Sequence, residues 1–130
     1  MIEEFFRFLK LILQYKSEQR YDEALKAIDN AALALMKVKI NEIESMTEQE
    51  LDAYIRTNEL REQQLEILAD LIKEKAEIYY ETNQIFSCEL LFDRSLLLFR
   101  KAEDNTKNYS MDRKAKMEKI HELLFHLREG

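Results

Sequence analysis

Residues 8–31, FLKLILQYKSEQRYDEALKAIDNA, and residues 72–95, IKEKAEIYYETNQIFSCELLFDRS, are two versions of one pattern. With the chain shifted by 64 residues, Phe8 falls on Ile72, Ile12 on Ala76, Tyr15 on Tyr79, Ala24 on Cys88, Ile28 on Phe92 and Ala31 on Ser95. Large side chains tend to meet large ones, and small meet small. Within each version the apolar residues recur at intervals of three and four, the spacing of one helix face. Thr82-Asn83-Gln84 reads as a turn, because asparagine tolerates the left-handed backbone that ends many helices. Each version is therefore a helical hairpin, and the chain carries it twice.

The remaining residues extend this reading to an all-α chain of about six helices. Helical periodicity runs over about 2–17, 21–43, 48–56, 59–82, 85–104 and 111–128. Asp22 and Glu23 sit in the first turn of the second segment, where the helix dipole favours acids. Thr47-Glu-Gln-Glu50 is a capping box that opens the short third segment, and Thr57-Asn58 ends it. Ser110 caps the last, whose Met111, Ala115, Ile120, Leu123, Leu124 and Leu127 are expected to face inward. The organisation expected is one helical domain: residues 1–45 a first hairpin, 46–58 a short helix and connection, 59–105 a second hairpin, and 110–128 a capping helix.

Composition supports this and excludes much else. The 130 residues contain no proline and one glycine, Gly130. Glycine-rich phosphate loops and folds with several tight β-turns are thereby excluded. Lys plus Arg number 20 and Asp plus Glu 26, a net charge of −6, the wrong sign for a general nucleic-acid binder. One cysteine, Cys88, cannot form an internal disulfide and suits a reducing compartment. No apolar run reaches the length of a membrane span, and the start carries acids where a signal peptide carries bases. A cytoplasmic protein is the expectation.

The hairpin pattern resembles the tetratricopeptide repeat, W-x2-L-G-x2-Y, then A-x3-F, then P. The first version reads Phe8-x2-Leu11-Ile12-x2-Tyr15, then Ala24-x3-Ile28, and Tyr21-Asp-Glu-Ala-Leu25 is its most repeat-like stretch. The second reads Ile72-x2-Lys75-Ala76-x2-Tyr79, then Cys88-x3-Phe92. Ile12 stands where the family prefers a small residue and Lys75 where it prefers leucine. No proline closes either copy, and 64 is not a multiple of 34. The whole chain is also similar to a family of small helical proteins of Gram-positive bacteria with the same Tyr-Asp/Glu-Glu-Ala-Leu centre, to which no activity attaches.

The resemblance implies a tetratricopeptide-like array with a concave surface lined by the first helix of each hairpin. The corresponding partner-binding positions are Phe6, Leu9, Leu13 and Lys16 in the first copy, and Asp70, Lys73, Glu77 and Tyr80 in the second. The clamp by which chaperone-binding members hold a peptide carboxylate, Lys followed by Asn four residues on, is missing, since Glu77 follows Lys73. An apolar or basic helix is the ligand such a surface implies.

Chemistry-bearing residues are few. His121-Glu-Leu-Leu-Phe125 misses the H-E-x-x-H metal motif because Phe125 replaces the second ligand. His126 lies about 140° around the helix from His121. Glu118 with His121 is half of a di-metal site that needs two such pairs. Cys88 takes the small position of the repeat and is expected to act as a small buried hydrophobe. No cofactor, metal or catalytic residue is expected. The segment with Arg100, Lys101, Lys107, Arg113, Lys114, Lys116 and Lys119 is the one electropositive stretch, with Glu103, Asp104, Asp112 and Glu118 interleaved. Contact with nucleic acid or an anionic surface through residues 100–119 is the alternative to a protein-binding module, and a metal-binding helical bundle through Glu118, His121 and His126 is a third, less favoured reading.

The first helix carries more apolar surface than one hairpin needs. If Phe8, Leu11, Ile12 and Tyr15 make the hairpin contact, Phe6, Leu9 and Leu13 are left over, with Arg7, Lys10 and Gln14 marking the solvent edge. That surplus predicts a twofold homodimer through the first helix.

Overall fold

The computed structural model describes residues 1–106 and 108–129. Lys107, of the basic segment, and Gly130, the lone glycine, lie outside the described residues. Among the described residues there are seven α-helices and no strand. They fall into two compact units, Met1–Glu59 and Leu60–Gly130.

The first unit holds α1 (Ile2–Ser17), α2 (Tyr21–Met36), α3 (Ile40–Ser45) and α4 (Glu48–Thr57). α1 and α2 pack antiparallel. Ile12, Ala24, Ile28, Ala31 and Ala32 are fully buried, so small side chains line much of α2's inner face. Transfer of apolar groups out of water, worth about 0.8 kcal/mol per buried CH₂, drives this packing. The inner edge of α1 differs from the repeat alignment in two residues. Phe5 is buried, whereas Leu11 is 38% exposed. Phe5 lies within about 20° of Ile12 around the helix, while Leu11 lies about 100° away.

The second unit holds α5 (Glu62–Glu81), α6 (Ile85–Asp104) and α7 (Met111–Glu129). α5 and α6 pack antiparallel over Leu65, Leu68, Ile72, Ala76, Cys88, Phe92, Leu96 and Phe99, all buried. Ser95, at the small position, donates its Oγ hydrogen to the Ala69 carbonyl at 2.8 Å. A buried hydroxyl needs such a partner, and the helix backbone supplies it.

The two hairpin turns are the same turn. In the first, Gln19 N–H donates to the Lys16 carbonyl at 3.0 Å and Arg20 N–H to the Tyr15 carbonyl at 2.8 Å. In the second, Asn83 N–H donates to the Tyr80 carbonyl at 3.2 Å and Gln84 N–H to the Tyr79 carbonyl at 2.9 Å. This is the Schellman arrangement, with Gln19 at φ 58° and Asn83 at φ 61° in the left-handed region. The following helices begin at Tyr21 and Ile85, 64 residues apart like every other pair in the repeat. Sequence repeat and backbone repeat therefore coincide.

Two helix boundaries depart from the sequence reading: the long helix expected from 59 begins at Glu62, after Glu59 at φ 50°, and the second segment divides. The segment expected to run continuously over 21–43 breaks after Met36, where Lys37 adopts φ 54° and its N–H donates to the Leu33 carbonyl at 3.1 Å. The chain then turns into α3, whose Ile40 and Ile43 are buried along with Val38. Burying three branched side chains offsets the left-handed lysine. The other ends fall where their caps place them. Glu50 N–H donates to Thr47 Oγ1 at 3.1 Å and Thr47 N–H to Glu50 Oε1 at 2.9 Å, closing the capping box of α4. Arg113 N–H donates to Ser110 Oγ at 3.1 Å at the start of α7.

The inner face of α7 is a second correction. Ile120 and Leu124 are buried as expected, but Met111 and Ala115 are exposed, and Leu123 and Leu127 are half-buried. The buried face of the first turn instead carries Arg113, 2% exposed and within about 20° of Ile120 around the helix.

Candidate interaction surface

The first-helix faces of the two hairpins carry the expected partner-binding residues, and they are unlike each other. On α1, Phe6 is 57% and Leu13 46% exposed, with Leu9 and Lys16 half-buried between and beside them. Ile2 is also exposed, and it extends the set one turn toward the N-terminus. Ile2, Phe6, Leu9 and Leu13 recur at intervals of four, three and four, which places them within about 60° of one another. They form a seam along one side of α1, bordering the buried edge of Phe5 and Ile12. Beyond that buried edge, on the far side of α1 from the seam, Glu4, Arg7, Phe8 and Leu11 line a shallow depression of about 330 Å³.

The equivalent positions of α5 are polar and closed. Asp70 is 6% exposed, and Lys116 of α7 holds both its carboxylate oxygens at 3.0 Å. Burial lifts the Asp70 carboxyl above its usual range, and Lys116 only partly opposes this. Burial tends to lower the Lys116 ammonium, but Asp70 and then Asp112, at 3.1 Å, outweigh it and raise the group. Lys73 donates to Glu74 at 2.9 Å and to Glu77 at 3.3 Å. Burial works to lower Lys73 as well, and those two carboxylates reverse the effect and raise it. Tyr80 is half-buried. Of the four α5 residues, three are thus engaged in ion pairs within the second unit.

A second clasp lies one turn away. The Arg113 guanidinium donates to Glu62 and Glu66, each at 2.9 Å, and to the Asn108 carbonyl at 3.1 Å, with Glu103 at 3.6 Å. Arg128 adds two bonds to Asp93 of α6, at 3.1 and 3.3 Å. α7 therefore packs against α6, with Ile120 and Leu124 buried, and is tied to α5 by the ion pairs of Arg113 and Lys116. Neither Arg113 nor Lys116 signals an inward position from sequence alone. The default reading of a mixed-charge helix is a solvated face, and their partners are 46 to 51 residues away. Ile2, by contrast, could have been found from the seam spacing.

The same contacts bear on the basic segment. Arg113 and Lys116 are turned into ion pairs with the chain's own acids, and the Lys114 ammonium lies 5.7 Å from the Tyr109 ring centre. Arg100 and Lys119 are exposed, and Lys107 lies outside the described residues. His121 and His126 are exposed on α7, as is Glu118. Among the described residues no group of three or more His, Cys, Asp or Glu side chains could hold a metal ion. Cys88 is buried, and burial, then the charge of Glu89, pushes its thiol up to about 11, against the depressed value of a reactive cysteine. No helix among the described residues is long and apolar enough to cross a membrane. Comparison with protein-family models, with curated proteins and with solved structures finds no match to this chain.

Proposed function

We propose that this chain is a non-enzymatic protein-interaction module built from two tetratricopeptide-like hairpins, and that the open face of α1 is where it takes a partner. The observation that carries the reading is the contrast between equivalent faces. On the second hairpin Asp70 is occupied by a helix of the same chain. On the first, Phe6 and Leu13 present exposed apolar surface at the corresponding positions. Contiguous exposed apolar surface of this kind marks interaction sites rather than ordinary surface. An apolar seam on a helix accepts another amphipathic helix, in the manner of helix-in-groove recognition. No residue is assigned a catalytic role, because the histidines are exposed and the one thiol is buried and raised.

The test is affinity capture from the host's lysate, in cells that also express a differently tagged copy of the chain. Wild type is compared with Phe6→Glu combined with Leu13→Glu. The reading expects at least one protein retained by wild type and lost by the variant. Equal retention by both, or nothing retained by either, contradicts it.

A further inference from the structure

We infer that the helix taken by the α1 seam is α1 of a second copy, paired antiparallel about a twofold axis. This deepens the proposed function by naming the partner, and it rests on α1 being the interaction face.

Three observations point to a second copy. The seam is self-complementary. Ile2, Phe6, Leu9 and Leu13 follow the four-three-four spacing of coiled-coil core positions, so the same stripe can supply both the knobs and the holes of an antiparallel pair. Layers of Phe6 on the partner's Leu9, and Ile2 on the partner's Leu13, then form twice under one twofold axis, which closes the assembly.

Charge fixes the direction. Glu3 and Lys10 are exposed, seven residues apart, on the solvent border of the seam. In the antiparallel register that layers Phe6 on Leu9, Glu3 of one copy lies beside Lys10 of the other, and the twofold axis makes this contact twice. A parallel pair would instead bring the two acidic starts, Glu3 and Glu4, to the same end. The antiparallel arrangement also opposes the helix dipoles favourably.

The hairpin itself does not require the seam. At the equivalent positions of α5 stand Asp70, Lys73 and Glu77, and the same turn and the same antiparallel packing form there. Large apolar groups on α1 are thus a feature of this face and not a demand of the fold. One helix face falls short of the roughly 800 Å² per partner of a standard interface, so the pair is a weak, concentration-dependent one.

Size-exclusion chromatography with light scattering, run from about 1 to 100 µM, tests the pairing. The expected result is a mass that rises from one chain to two across that range. Phe6→Glu with Leu13→Glu should weaken association at least tenfold with helix content by circular dichroism unchanged; Phe6→Gln with Leu13→Gln serves the same purpose if the acidic pair loses helix. Glu3→Lys should weaken association several-fold, and Glu3→Lys with Lys10→Glu should restore it. A single-chain mass at 100 µM overturns the pairing, as does a dimer indifferent to Phe6 and Leu13. Failure of the charge swap to rescue Glu3→Lys overturns the antiparallel register. A single-chain mass together with capture of a different protein through Phe6 and Leu13 defeats this inference alone, whereas no capture of any kind defeats the interaction reading too.

Discussion

Gln19, Lys37, Glu59 and Asn83 all hold a left-handed backbone, and none of them is glycine. For most L-residues that conformation costs about 1–2 kcal/mol, and for asparagine least, because its side chain bonds locally. Gln19 and Asn83 occupy the same place in the two hairpin turns, so they form an internal comparison. Gln19→Gly is expected to stabilise the chain by about 1 kcal/mol and Asn83→Gly by less, read from urea midpoints. A larger gain at Asn83 would contradict the shared turn. Ala24 offers a second comparison. It is fully buried where α1 and α2 cross, whereas Ala53 is exposed on α4. Ala24→Leu forces the helices apart and should cost about 1–3 kcal/mol, while Ala53→Leu should be nearly silent. Equal losses in thermal melts would mean that the small residue does not mark the crossing.

At the scale of helices, what is legible in the sequence is what local chemistry dictates. The Thr47 capping box, the Ser110 cap and the Asn83 turn each involve residues within five positions of one another, and each forms. The break at Lys37 is hidden because Met36, Ile40 and Ile43 continue the apolar spacing across it and no glycine or proline marks it. The clasp of α7 is hidden for a different reason. Arg113 and Lys116 meet acids on α5 that only the tertiary fold brings near, and charge on a helix carries no sign of facing inward. That clasp yields two predictions. Arg113→Ala leaves Glu62 and Glu66 without their shared cation and should cost about 2 kcal/mol, while His121→Ala, on an exposed position, should cost almost nothing. Raised folded-state values for Lys73 and Lys116 mean that their contribution is fully present below the unfolded lysine value of about 10.4 and is lost as pH climbs past it toward the folded value. The melting temperature should therefore fall above about pH 10.4, and Lys116→Met should flatten that fall. A melting temperature as steep in pH for Lys116→Met as for wild type would remove Lys116 from the clasp.

For the molecule as a whole, repetition explains the division of labour between its hairpins. The same turn and the same small-residue crossing make two similar platforms. One keeps its first-helix face for α7 and the other presents an apolar seam. The surplus of large side chains on α1 is legible in the sequence, since it covers more than one helix face. Which residues make it up depends on the packing, which buries Phe5 and turns Leu11 outward. The chain contains no tryptophan, so Phe6→Trp places a single fluorescent reporter on the seam. Emission from that variant, followed from about 0.1 to 100 µM, asks directly whether the α1 face becomes covered. The account predicts a water-exposed spectrum at the lowest concentration that shifts to the blue as concentration rises, with the shift abolished by Leu13→Glu. A spectrum that stays water-exposed across the whole range and on addition of host lysate would contradict it.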